Sequence, residues 1–249
     1  MTLPPPLPAE PYGDGAAPDQ PGWGLGDVAA GIGASMLLSI LVGSIIYSVA
    51  GWSSNDEVPV WGLALLQVPL WAGYLGVTLW ATSTKGDGVV RDLGVEARWY
   101  DPLMGLGIGI ATQLVVLPLL YVPIFVFTGT DSDELSEPAR ELADRAGSLP
   151  SWLLFAVLVG VCAPVVEELF YRGLFLRSLT KRGLSPVVAV LVSSAVFAAI
   201  HFQVLQFAGL FAFGLIAGTL AARSGRLGPS IWAHIGFNMT TVVLLYAAS

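Results

Sequence analysis

Six residues of this 249-residue chain stand where a lipid-facing sequence should carry none. Glu167, Glu168 and Arg172 lie in the run Glu167-Glu168-Leu169-Phe170-Tyr171-Arg172, His201 closes Phe197-Ala-Ala-Ile-His201, and His234 and Asn238 bound His234-Ile-Gly-Phe-Asn238. All three runs are otherwise apolar, and they hold both histidines of the chain. A charged side chain at the bilayer centre costs roughly 2.5–3.5 kcal/mol on insertion scales, so an ionisable group there is a functional hypothesis by default. Glu167, Glu168 and Arg172 together would cost about 8–10 kcal/mol if left unpaired at depth.

Helix geometry suggests how that cost is met. Residues four apart share a face, so Glu168 is disposed to pair with Arg172, while Glu167 is turned away to face a cavity. Tyr171, four residues after Glu167, is placed to donate a hydrogen bond to it. The competing reading is a solvated helix end, because Arg177, Lys181 and Arg182 follow closely. No helix breaker occurs before Gly183 and Pro186, however, so the helix is predicted to run to about residue 179 and to hold Glu167 about 18 Å back from its end. Pro164, lacking an N–H, should bend it beside the carboxylates. A buried histidine alone is more often a packing or interhelical hydrogen-bonding group; two of them with a double glutamate point to chemistry. His234 and Asn238, one turn apart, would present two donors toward a developing oxyanion.

These three motifs, in this order, resemble those of the CAAX-protease and bacteriocin-processing (CPBP, or Abi) intramembrane peptidases, which include the type II CAAX prenyl endopeptidases. The motifs are Glu-Glu-x-x-x-Arg at 167–172, Phe-x-x-x-His at 197–201 and His-x-x-x-Asn at 234–238, and the resemblance covers roughly residues 150–247. It implies hydrolysis of a peptide bond by a water held between a glutamate and a histidine. Glu167 is then the general base, His201 helps to hold the water, His234 with Asn238 forms the oxyanion site, and Glu168 with Arg172 orients the first motif. Family members have been called metalloproteases, and Glu167, His201 and His234 make an alternative zinc set. No HExxH motif is present, so the expectation is that no cofactor is required. A binding or immunity protein that sequesters a peptide in the same cavity is the reading from another class. Ser193 and Ser194 are read as small packing residues rather than nucleophiles.

The surrounding elements must be membrane spans. The sequence is 55% hydrophobic and 12% charged, with mean hydropathy +0.73, against about a quarter charged in a soluble domain. Windows long enough to cross a bilayer fall at about 27–50, 59–82, 102–128, 150–179, 186–202, 204–222 and 229–247. The fold class is therefore all-α, a polytopic transmembrane helical bundle of about seven spans and up to eight helical segments. The last two windows before the final one have almost no connector, which allows a tight hairpin or a re-entrant segment. Three regions are implied: a Pro-rich cytoplasmic tail over 1–24, anchor spans with an amphipathic loop helix over 25–149, and a four-span catalytic unit over 150–249. Ser136 is expected to cap the loop helix, and Asp101 to cap the third span.

Of the eleven basic residues, nine fall in segments that seven crossings place on one side, leaving only Arg140 and Arg145 opposite. The positive-inside rule then gives a cytoplasmic N-terminus, in what the Arg-rich, Ala/Gly/Val-rich composition suggests is a bacterial plasma membrane. The net charge of −7 comes from the tail and loops rather than from a cleft. The implied partners are a membrane-associated peptide or protein substrate and the lipid bilayer, with no nucleic acid. Cys162 is the single cysteine, so no intramolecular disulfide can form.

Overall fold

The computed structural model describes residues 21–249, and among them nine helices and no strand are found. Six helices are long and apolar enough to cross a membrane: α1 (Leu25–Ala50), α2 (Val60–Lys85), α4 (Asp101–Thr128), α6 (Leu149–Lys181), α8 (Phe207–Ser224) and α9 (Gly228–Ala248). The others are α3 (Val89–Leu93), α5 (Ser132–Ala143) and α7 (Pro186–Ala199). The all-α bundle agrees with the hydropathy pattern, with one correction. The 186–202 window yields only the 14-residue α7, about 21 Å long against a hydrocarbon core of roughly 30 Å. The turn at 200–206 carries the chain on from its end, and there Gln206 Nε2 donates to Leu135 O of α5 before α8 begins.

The long helices give the molecule two ends of opposite chemistry. At one end Lys85 pairs with Asp27, Lys181 bonds the Pro21 carbonyl and lies over the Trp23 ring, and Arg177 donates to Gly225 O at 2.7 Å. The three basic segments are thus gathered together. At the other end Arg145 approaches Val58 O, and a surface recess is lined by Asp56, Glu57, Glu141 and Asp144. Most of the expected 1–24 tail lies outside the described residues. Its last four residues are anchored, because Trp23 is buried and donates to Asp92 at 2.9 Å.

Two capping expectations are corrected. Asp131, not Ser136, caps α5, accepting from the Asp133 and Glu134 N–H groups at 2.9 Å each. Ser136 sits within the helix and bonds Ser132 O. Asp101 is the first residue of α4, fully buried; it accepts from the Arg98 N–H and from Arg226 Nη2 at 3.1 Å, which ties the start of α4 to the start of α9.

Small residues then let helices approach, as in membrane bundles generally. A Cβ on Gly109 of α4 would lie 2.1 Å from Ala233 O of α9, and one on Gly236 would lie 2.7 Å from Leu106 O. Ser194 of α7 is buried against Gly214 of α8, the packing role expected of it. The α4–α9 seam matters because α9 carries His234 and Asn238. Gly109→Leu should therefore destabilise the fold by about 1–3 kcal/mol through overpacking. Gly107→Leu, whose Cβ meets nothing within 4 Å, should be neutral, and thermal unfolding in detergent compares the two.

Candidate active site

The site is built on α6, a 33-residue helix with two π-helical turns, Leu158–Cys162 and Glu168–Phe175. Such turns are rare and cluster at functional sites. The first has a readable cause. Ala163 N–H reaches back to Leu158 O, and Pro164, the next residue, has no N–H. The Val159 carbonyl therefore loses both its α-helical and its π-helical donor. Asn238 supplies the replacement, its Nδ2 donating to Val159 O at 2.8 Å.

Glu168 is the electrostatic centre. It is fully buried, as is Arg172, and the two are 2.9 Å apart, the pairing that their spacing predicted. His234 Nδ1 lies 2.9 Å from the same Glu168 oxygen; a carboxylate only accepts, so Nδ1 carries the proton. The Arg172 guanidinium also stacks over Phe197 at 4.4 Å from the ring centroid and approaches Gly214 O at 3.4 Å. One carboxylate thus joins α6 to α9, and one guanidinium joins α6 to α7 and α8.

Glu167 faces the other way, into a cavity of about 520 Å³. The wall is formed by Met36, Ser39 and Ile40 of α1, Gln67, Leu70 and Tyr74 of α2, Glu167 and Tyr171 of α6, and Ile200, His201 and Phe202 of the turn after α7. His201 is not inside a span. It stands just past the end of α7, and its Nδ1 bonds Phe197 O at 2.6 Å. That carbonyl is one of the orphans at a helix end, and because a carbonyl cannot donate, Nδ1–H is the donor and Nε2 is left as an acceptor. The chain then turns through Phe202 at φ +54°, a left-handed conformation unusual for a bulky residue.

Two expectations fare differently. Tyr171 does not bond Glu167; its hydroxyl pairs with that of Tyr74 at 2.9 Å, and both rings line the cavity. His234 and Asn238 do share a face, but that face addresses α6 rather than the cavity. His234 Nε2 lies 3.7 Å from Glu167 Oε2, behind the carboxylate. Glu167, Glu168, Arg172 and His234 therefore form one cluster, His201 joins Glu167 at the cavity wall, and Asn238 braces the helix that carries them. Tyr74 was not signalled by the sequence, since nothing local couples it to Tyr171, 97 residues away.

Among the described residues no three His, Cys, Asp or Glu side chains converge closely enough to hold a metal ion. The alternative zinc set of Glu167, His201 and His234 is not among such groups; of its members His234 and Glu167 are the near pair, with Nε2 3.7 Å from Oε2.

Comparison with known proteins agrees with the motifs. The sequence profile described as "Type II CAAX prenyl endopeptidase Rce1-like" matches residues 149–240. The chain is 30% identical over 162 residues to an "Uncharacterized 24.3 kDa protein" of Escherichia coli, covering 61% of this chain and 72% of that one. It is 26% identical over 203 residues to the "Putative membrane peptidase YdiL" of Bacillus subtilis (strain 168), covering 80% and 78% respectively. No solved structure matches it.

The buried Glu168–Arg172 pair gives a stability test independent of activity. Arg172→Leu strands a buried carboxylate and should cost about 3–5 kcal/mol, read as a fall in the detergent unfolding temperature. Adding Glu168→Gln to it should recover a substantial part of the loss.

Proposed function

The chain belongs to the Rce1-like type II CAAX prenyl endopeptidase family and is an integral membrane protease; from that premise we propose that Glu167 activates water for peptide-bond hydrolysis within the membrane. The observation that carries this reading is the placement of Glu167 and His201 on the wall of one cavity, with the neighbouring Glu168 already paired with Arg172 and hydrogen-bonded by His234.

In this mechanism a water donates one hydrogen bond to the Glu167 carboxylate and the other to His201 Nε2, which leaves an oxygen lone pair directed at the substrate carbonyl. Glu167 takes the proton as the carbon–oxygen bond forms. When the tetrahedral intermediate collapses, the carbon–nitrogen bond breaks and Glu167 returns that proton to the leaving amine. His234, held by Glu168 and close behind Glu167, steadies the base. His234 and Asn238, expected in the oxyanion role, address α6 and do not line the cavity, whereas the Tyr74 and Tyr171 hydroxyls stand on its wall. We favour the tyrosine pair as donors.

No metal is required by this scheme. The basic end is assigned to the cytoplasm by the positive-inside rule, and relatives in two bacteria support a bacterial plasma membrane. The substrate is a peptide or protein that reaches membrane depth.

Glu167→Gln should reduce cleavage by about 10²–10⁴-fold, the range of general acid–base catalysis, while leaving the unfolding temperature near wild type. Products present in wild-type membranes and missing from Glu167→Ala membranes, found by mass spectrometry, identify the substrate; equal product sets would defeat the proposal. Tyr171→Phe should lower kcat, and Asn238→Ala should chiefly lower the unfolding temperature. Prolonged treatment with a tight chelator should leave activity intact, and inactivation reversed by zinc would overturn the metal-free scheme.

A further inference from the structure

The turn that brings His201 to the cavity has little backbone bonding of its own. It joins α7 to α8 over residues 200–206, and among the described residues no N–H from Gln203 to Gln206 donates to a backbone carbonyl. Its entry bends through Phe202 at φ +54°. Such a conformation is costly for a bulky side chain and persists only where the surroundings over-determine it. On the near side of Phe202 the restraint is the His201 imidazole itself, through Nδ1–H to Phe197 O. On the far side two side chains from elsewhere in the fold take hold. Gln206 Nε2 donates to Leu135 O of α5 at 2.7 Å, and the hydroxyl of Tyr121, on α4, donates to Leu205 O at 3.0 Å.

The Tyr121 hydroxyl also accepts. Gly209 lies in the first turn of α8, where N–H groups have no intrahelical acceptor, and its N–H donates to the same oxygen at 3.0 Å. One hydroxyl thus ties the end of the turn to the start of the next helix. The fit is close, since a Cβ on Gly209 would lie 2.9 Å from that oxygen. Tyr121 is buried, with its ring stacked on Phe125 at 5.7 Å between centroids.

We infer that Tyr121 is a positioning residue for His201. It does not line the Glu167 cavity and acts through the turn. By holding Leu205 O it keeps the chain in the shape that forces Phe202 into the left-handed region, and because His201 is the residue before Phe202, the same shape aims the imidazole. Without the hydroxyl the strain at Phe202 is released, and His201 exchanges its bond to Phe197 O for a range of orientations. This deepens the peptidase reading and rests on it for the use made of Nε2; the tether itself depends on no reaction.

The two histidines of the chain provide the probe, because each holds an Nδ1–H in a hydrogen bond, one to Phe197 O and one to Glu168. In the full chain in detergent, labelled with nitrogen-15 histidine and assigned with His201→Gln, exchange of the two Nδ1 protons with water is followed by NMR. Tyr121→Phe should speed exchange at His201 about tenfold or more and leave His234 unchanged. Phe125→Leu, which removes ring packing but keeps the hydroxyl, should leave both unchanged. Cleavage, followed by the products that separate wild type from Glu167→Ala, should slow about tenfold or more in Tyr121→Phe, as expected when a catalytic group is misplaced. If Tyr121→Phe does not fold, Gly209→Ala, which pushes the hydroxyl aside, is read in the same way. Unchanged exchange at His201, equal acceleration at both histidines, or the same acceleration in Phe125→Leu overturns the tether, and wild-type cleavage with His201 released overturns its role in the reaction. The exchange measurement needs no catalysis, so it stands apart from the hydrolase reading, which the Glu167 variants decide.

Discussion

A carboxylate with no exposure to solvent, Glu168, is the constraint around which the rest of the protein is arranged. An isolated buried charge is among the most expensive features a fold can carry, and its cost is met only by a close counter-charge with additional hydrogen bonds. Here the counter-charge is Arg172 on the same helix and the hydrogen bond comes from His234 on α9. Arg172 in turn needs the aromatic face of Phe197 and the carbonyl of Gly214. Satisfying one side chain thus fixes four helices relative to one another. The α4–α9 glycine seam and the Asp101–Arg226 tie hold α9 at the depth that this arrangement needs.

The same arrangement separates two adjacent glutamates by role. Glu168 is committed to structure, and Glu167, one residue earlier, is left with its carboxylate on a cavity wall. Identical chemistry is given different environments by a turn of about 100° around one helix. The π-helical turns sharpen that separation and leave Val159 O dependent on Asn238. Asn238, expected to stabilise a reaction intermediate, closes a gap in the backbone hydrogen bonding of the helix that carries Glu167.

Local spacing carried the legible part of the site. The Glu168–Arg172 pair follows from a helical repeat, and the orientation of Glu167 follows from that pair. Spacing also placed His234 and Asn238 on one face, although which neighbour that face meets is a tertiary fact. Phe197-x-x-x-His201 proved to have a local cause of another kind, since the imidazole closes the last turn of α7 by bonding the carbonyl four residues back. The end of α7 was hidden because no glycine or proline marks it; His201, Gln203 and Gln206 are the polar residues that interrupt the apolar run between Ala195 and Gly218. Tyr74 was illegible because its partner lies on a separate helix. The anchor role given to residues 25–149 understates them, as α1 and α2 supply more than half of the wall facing Glu167.

The brevity of α7 has a consequence for the surrounding lipid. A bundle in which one arm is about 21 Å long presents a shallow sector in its perimeter, with Phe202 and Val204 turned outward at its tip. Acyl chains next to that sector must shorten, tilt or disorder to match it, at a cost of fractions of a kcal/mol per Å. Membrane thickness thereby becomes a variable that bears from outside on the turn carrying His201 and on the cavity wall it shares with Glu167.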